Sequence, residues 1–150
     1  MKGLELLRLR QGGLRPTFSP MPLDEASELL QGLYRVDLLQ LAKGFPPVSQ
    51  ALLPDATGRR RLRYIRADPR EHWRTIADLW RFGGGDCEDL AAAVAAELTF
   101  SGVWVARPVV YQVRPGLAHA VVQIMSGPHL GAVRVGSLLD PSRSGGMGEA

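Results

Sequence analysis

The chain has a single cysteine, Cys87, which lies between three glycines and an alanine-rich stretch in RFGGGDCEDLAAAVAAEL. Asp86 is suited to cap a helix that begins at Cys87, and Asp89 follows at the spacing of a capping box. A helix N-terminus presents backbone N–H groups and the positive end of the helix dipole, which both favour the thiolate form of a cysteine. The sequence therefore predicts a nucleophilic thiol whose own backbone amide is one donor to an oxyanion.

Three carboxyl groups beside the thiol oppose its ionisation. Asp86, Glu88 and Asp89 disfavour a further negative charge nearby, so a thiolate requires that they act as caps or turn away, and that a histidine supplies the balance. Two other interpretations stay open. A lone buried cysteine is usually structural. Cysteine, histidine and aspartate are also all zinc ligands, although no Cys-x-x-Cys or His-x-x-x-His pair anchors such a site here.

Of the three histidines, His119 is the best candidate for a partner of Cys87. It begins the strand-like segment HAVVQI between two alanines, and the intervening chain is long enough for a helix, a strand and a turn. We expect His72 to face solvent at a helix start and His129 to lie in the turn SGPHLG. Asp140 follows two leucines at the end of the next strand, which predicts a partly buried carboxylate that orients the imidazole.

Length and composition indicate one globular domain. The 150 residues are 45% hydrophobic and 22% charged, and no apolar run is long enough to span a membrane. The N-terminal residues lack the apolar block of a secretory signal, and one cysteine cannot form an internal disulfide, so we expect an intracellular protein. The net charge is +3. Its densest basic cluster, RRRLRYIR over residues 59–66, predicts a solvated edge strand or a patch for an acidic partner. Nucleic acid is not favoured, because no signature of a nucleic-acid-binding fold accompanies it.

Apolar spacing predicts three helices. In the first, Asp24 is the expected N-cap, Lys43 and Gly44 the expected end, and the apolar face is Leu29, Leu30, Leu33, Val36 and Leu41. The second is expected from about Glu71 to Gly83, with one face formed by Trp73, Ile76, Ala77 and Trp80. The third is the alanine-rich helix that begins at Cys87. Residues 44–58 are expected to form a loop.

Beyond Gly102 the apolar period changes to two, which indicates strands over residues 103–113, 118–125 and 132–139. Pro108 requires that the first of these be an edge strand or contain a bulge. Helices followed by strands with short turns predict an α+β fold with an antiparallel sheet. We expect an N-terminal arm and helix over residues 1–60, a core over residues 61–142 and a flexible tail over residues 143–150.

The segments GGGDCEDLA, HAVVQI and LLDPS together resemble the transglutaminase-like superfamily of papain-type thiol enzymes. The resemblance spans Tyr64 to Ser142 and is nearest to small transglutaminase-like proteins encoded among bacteriophage structural genes, which carry a segment like YIRADP. It implies a catalytic helix packed on an antiparallel sheet, with Cys87 as nucleophile, His119 as general base and then acid, and Asp140 as the orienting carboxylate. It implies no cofactor or metal. The second oxyanion donor of the family comes from upstream; Trp73 and Trp80 are candidates, although both are also expected as core aromatics.

Two functions follow as expectations. The first is a thiol-dependent amide hydrolase or acyl transferase that acts on a protein or peptide through a thioester, which water or an amine then resolves. The second is a non-catalytic phage virion structural or assembly protein, in which the leucine-rich first helix and the arginine cluster are the working surfaces. Either function implies a location in the host cytoplasm or the virion.

Overall fold

A computed structural model describes residues 17–18, 23–65, 73–115, 117–130 and 133–142. Within these ranges the fold is mixed α+β. The helices are α1 (Leu23–Ala42), α2 (Ile76–Phe82) and α3 (Cys87–Phe100), with a short 3₁₀ turn at Gln50–Leu52. The strands are β1 (Thr17–Phe18), β2 (Arg63–Tyr64), β3 (Gly84–Gly85), β4 (Val105–Arg114), β5 (Leu117–Ser126) and β6 (Leu138–Leu139).

Helix α3 lies at the centre of the protein. Almost every residue of its CEDLAAAVAAEL sequence is buried, because alanine side chains allow the helix to approach its neighbours closely from all sides. It packs against α1, β4 and β5, and its aliphatic side chains form one hydrophobic cluster with those of the sheet. The start of this helix is therefore held in place by most of the fold.

Strand β5 is the middle strand of the antiparallel sheet. The long strand β4 pairs along one edge of β5, whereas β1 and β6 pair with different parts of the other edge. Pro108 lies in β4, which among the described strands is an edge strand, as a proline without an N–H requires. The expected third strand over residues 132–139 is wrong in extent: within the described residues 133–139 only Leu138–Leu139 form a strand, because the chain turns before them, where Gly136 adopts φ +87°.

Helix α1 differs from its predicted form in two respects. It begins at Leu23, so Asp24 lies inside the first turn and is not the N-cap. Its buried face consists of Ala26, Leu30, Leu33, Asp37 and Leu41, whereas the predicted Leu29 and Val36 are exposed. The predicted Leu30, Leu33 and Leu41 are confirmed as buried. The apolar pattern did not predict Asp37, a fully buried aspartate whose carboxylate oxygen accepts the backbone N–H of Ile76 at 2.8 Å. The predicted helix end is confirmed, with Gly44 at φ +96° after the last helical residue.

The basic segment and α2 are also shorter than predicted. Among the described residues of the arginine cluster, 59–65, only Arg63 and Tyr64 form a strand, which pairs in parallel with β3. Helix α2 begins at Ile76 and not near Glu71, because Thr75 caps it and Asp78 completes a capping box. Ile76 and Leu79 are its buried residues. Residues 66–72, including His72, and residues 143–150 lie outside the described ranges.

The N-terminal helix is in direct contact with the rest of the fold, since α1 packs against α3 and β4. The division of the chain at residue 60 stays a prediction. Within the residues that the structure describes, no helix combines the length and apolarity that crossing a bilayer requires.

Candidate active site

Helix α3 begins at Cys87, and the predicted capping box at its start is confirmed. The Asp86 carboxylate accepts the N–H of Asp89 at 3.1 Å, and the Asp89 carboxylate accepts the N–H of Asp86 at 3.1 Å. These two bonds satisfy N–H groups that a helix start leaves without partners. They also fix Cys87 as the first helical residue, with its side chain 1% exposed.

The glycines before Cys87 allow α2 and α3 to follow one another with little connecting chain. Gly83 ends α2 at φ +81°, a left-handed conformation that is costly for residues with a β-carbon. Gly84 pairs with Arg63, and a β-carbon on Gly84 would overlap the Arg63 carbonyl oxygen. The triple glycine therefore permits a sharp turn and a close strand pairing immediately upstream of the thiol.

Asp86, Glu88 and Asp89, the three carboxyl groups beside the thiol, are all buried. Asp89 also accepts the Arg74 N–H at 2.8 Å, so it joins the start of α3 to the segment before α2. Burial, followed by the proximity of Asp86, raises the pKa of Asp89 to about 9. Burial likewise raises the pKa of Asp86. Asp89, with a pKa of about 9, stays protonated at neutral pH and does not repel a thiolate as a carboxylate would.

His119 and Asp140 form a buried pair on adjacent strand segments. His119 lies near the start of β5 and Asp140 directly follows β6, and the distance from His119 Nε2 to Asp140 Oδ2 is 2.8 Å. The other oxygen of Asp140 accepts both the N–H and the hydroxyl of Ser142, at 3.0 and 2.6 Å. The sequence Asp-Pro-Ser thus fixes the carboxylate, which in turn fixes the imidazole ring.

Tyr111 joins Cys87 to this pair. It lies directly opposite His119 in the β4–β5 register, and the two rings meet edge to face with centroids 6.1 Å apart. Burial raises the pKa of Tyr111 to about 12, and the nearby charges of Asp140 and Cys87 contribute to the same shift. Its hydroxyl group is therefore close enough to both residues to feel their charge. Tyr111, His119 and Asp140 form one cluster, and Cys87 lies near enough to it to act on the pKa of Tyr111.

No protein-family model, curated protein or solved structure gives a significant match to the chain. The resemblance to the transglutaminase-like superfamily and the catalytic roles of Cys87, His119 and Asp140 therefore stay predictions. They rest on the local sequence and on the geometry described above.

The two tryptophans considered as oxyanion donors have other surroundings. The indole N–H of Trp80 donates to the carbonyl oxygen of Pro46 at 2.9 Å, which joins α2 to the loop after α1. Because this N–H is already bonded, it is not available to an oxyanion. Trp73 is half-buried against the hydrophobic core. His129 is exposed, between β5 and the bridge that joins Leu130 to Val133.

A metal centre would need a cluster of suitable ligands. Over the ranges that the structure covers, no group of three or more histidine, cysteine, aspartate or glutamate side chains is arranged to hold a metal ion.

Sequence reasoning did not identify Ser142 or Tyr111 as site residues. Ser142 had a local signal, because a serine two residues after an aspartate is the pattern of an Asx-type turn. Tyr111 had none, since its position opposite His119 depends on the register of two strands.

Proposed function

We propose that the protein is a thiol-dependent amide hydrolase or acyl transferase with a transglutaminase-like, papain-type core. Its nucleophile is Cys87, its general base and acid is His119, and Asp140 orients the imidazole. The substrate is a protein or peptide, with phage structural proteins as the favoured partners, in the host cytoplasm or the virion.

The observation that carries the proposal is the buried bond of 2.8 Å between His119 Nε2 and Asp140 Oδ2. This bond occupies Nε2 of the ring. The other ring nitrogen, Nδ1, is buried and has no hydrogen-bond partner among the described residues. A ring held by a carboxylate on one nitrogen and open at the other is the arrangement that accepts and returns a proton at a nucleophile.

The reaction follows from these roles. Nδ1 of His119 takes the proton of the Cys87 thiol, and the sulfur attacks the carbonyl carbon of an amide, so that a C–S bond forms and the C=O π pair moves to oxygen. Collapse of this adduct breaks the C–N bond, and His119 returns the proton to the leaving amine. Water or a second amine then attacks the thioester carbonyl carbon, passes its proton to His119, and expels Cys87 with acid or amide as product.

The second candidate is a non-catalytic virion structural or assembly protein, and two observations favour it. Cys87 is only 1% exposed, so a peptide reaches the sulfur only when the surrounding segments separate. Helix α1 also leaves Leu29, Val36 and Leu39 exposed at 40–62%, an apolar surface of the kind that contacts partners.

Alkylation of Cys87 by iodoacetamide across pH tests the enzyme proposal. An ordinary thiol with a pKa near 8.5 is almost entirely protonated at about pH 6, whereas a thiolate paired with imidazolium reacts there. We expect native protein to react at this pH and His119→Ala to react more slowly by more than about 100-fold. Mass spectrometry of the Cys87 peptide gives the rate.

His129→Ala is the matched control, because His129 is exposed and removed from the cluster; it should react like the native protein. The urea-unfolded chain supplies the rate of the intrinsic thiol. Native Cys87 that reacts more slowly than the unfolded chain at every pH, with or without His119, contradicts the enzyme proposal and supports the assembly function.

A further inference from the structure

Two buried polar atoms near Cys87 have no hydrogen-bond partner among the residues that the structure describes. They are Nδ1 of His119 and the hydroxyl oxygen of Tyr111. A buried polar group without a partner destabilises the fold, so such groups are rare unless a ligand or a reacting group completes them. The proposed function accounts for Nδ1 and leaves the Tyr111 hydroxyl unexplained.

The position of Tyr111 is fixed by the sheet. It is the cross-strand neighbour of His119, and its ring edge meets the imidazole at an interplanar angle of 88°. Cys87 is among the charged groups that raise the pKa of this phenol, which places the hydroxyl group in the same region as the sulfur. The O–H has no hydrogen-bond partner among the described residues, so it is available to donate to a substrate there.

The protonation of Tyr111 suits a donor and not an acid. Burial and the charges of Asp140 and Cys87 raise its pKa to about 12, which keeps the phenol protonated at any working pH. Such a group donates a hydrogen bond to a developing negative charge without giving up its proton. General acid and base work then stays with His119.

The catalytic site needs a second donor beside the Cys87 backbone N–H, since an oxyanion is held by two or more fixed donors. Trp80 is committed to Pro46, as described above. We propose that Tyr111 is this donor: its hydroxyl group hydrogen-bonds to the oxyanion that forms when the Cys87 sulfur adds to a substrate carbonyl. This inference rests on the proposed function. No proton leaves Tyr111 in the step, and the bond weakens again when the C=O double bond reforms.

Tyr111→Phe tests the inference with two small probes that react differently at Cys87. Attack on p-nitrophenyl acetate passes through a tetrahedral oxyanion, whereas attack on methyl methanethiosulfonate occurs at sulfur and forms none. We expect Tyr111→Phe to slow acylation by p-nitrophenyl acetate by about 10²–10³-fold, the usual effect of removing one oxyanion donor. The rate with methyl methanethiosulfonate should stay within about threefold of the native rate.

Tyr34→Phe is the matched control, because its hydroxyl group donates to Thr99 near the far end of α3, about 18 Å along the helix from Cys87. It should leave both rates unchanged. Tyr111→Phe removes a buried hydroxyl group that has no partner among the described residues. Its melting temperature should therefore also rise, by about 2–4 °C.

The outcomes separate the two proposals. Equal slowing with both probes shows that Tyr111 acts on the thiol or on His119, and overturns the oxyanion role. Unchanged rates with both probes overturn it as well and leave the proposed function standing. A native protein whose Cys87 reacts with neither probe faster than the unfolded chain overturns the proposed function, and the inference with it.

Discussion

The starts of α2 and α3 are stabilised by the same local hydrogen-bonding motif, although their surroundings differ. Each has a capping box, Thr75 with Asp78 in α2 and Asp86 with Asp89 in α3. Each is also tied to a distant segment by a carboxylate, since Asp37 accepts the N–H of Ile76 and Asp89 accepts the N–H of Arg74, both at 2.8 Å. The pattern of hydrogen bonds is thus nearly the same at the two helix starts.

They differ in what surrounds the first helical residue. Ile76 and Cys87 both belong to the buried hydrophobic core, but Cys87 is in addition near enough to Tyr111, the cross-strand neighbour of His119, to raise the pKa of that phenol. The helix end itself supplies only a positive potential and aligned N–H groups. Any chemistry at Cys87 therefore depends on the side chains that β4, β5 and the residue after β6 place near it, and not on the cap.

The largest expected effect comes from removing the Asp140 carboxylate, which belongs to the surroundings of the α3 start and not to those of the α2 start. Asp140→Ala leaves His119 Nε2 and both donors of Ser142 without their acceptor in a buried place. We expect the free energy of unfolding in urea to fall by about 3 kcal/mol. Alkylation of Cys87 at about pH 6 should fall by at least about tenfold, because the imidazole is no longer held.

Asp55→Ala is the control for this change, since it removes an exposed aspartate whose partners lie in one turn. It should leave the alkylation rate unchanged. If Asp140→Ala destabilises the protein and yet leaves the alkylation rate at its native value, the pair of His119 and Asp140 is structural, and the two helix starts do not differ in the proposed way.

An intermediate effect is expected at the α2 start, where burial raises the pKa of Asp37 from 3.8 to about 8. The folded protein holds this proton more tightly than the unfolded chain. The stabilisation that this proton gives is therefore complete below about pH 4. It is lost as the pH rises towards 8, where the free energy of unfolding falls by up to about 1.4 kcal/mol per pH unit. Asp37→Asn keeps an oxygen for the Ile76 N–H and cannot ionise.

We therefore expect Asp37→Asn to be more stable than the native protein by about 1–3 kcal/mol between about pH 5 and pH 6, and similar to it near pH 4. Urea unfolding at several pH values measures both. Asp89 gives a pH dependence of the same sign, so a smaller slope remains in the variant. Parallel stability curves for the two proteins would show that Asp37 does not titrate in this range.

The smallest effect is expected for Thr75→Ala. It removes the side chain that accepts the N–H of Asp78, which is worth about 1 kcal/mol of stability at a helix N-cap. Thermal unfolding measures that loss. The rate of Cys87 alkylation should be unchanged, because α2 contributes structure and not chemistry; a slower rate would show that the two helix starts are coupled through Arg74 and Asp89.

Local pattern was enough for some elements and not for others. The capping box at Asp86, the helix that begins at Cys87 and the two long strands were predicted because each depends on residues a few positions apart. The start of α2 was missed although Thr75 and Asp78 carry the same signal. The third strand was overextended, because alternating apolar residues continued through a turn at Gly136.

The sequence by itself determined where α3 begins, which carboxylates cap it and that Cys87 is its first residue. Hydrogen bonds within one helical turn suffice for this, so neighbouring residue types settle it. Only the tertiary structure decided that Asp37 is buried at the start of α2, that Asp140 lies 2.8 Å from His119, and that the Tyr111 hydroxyl has no hydrogen-bond partner among the described residues. Those facts depend on strand register and helix packing, where a shift of one residue would turn each side chain to another face.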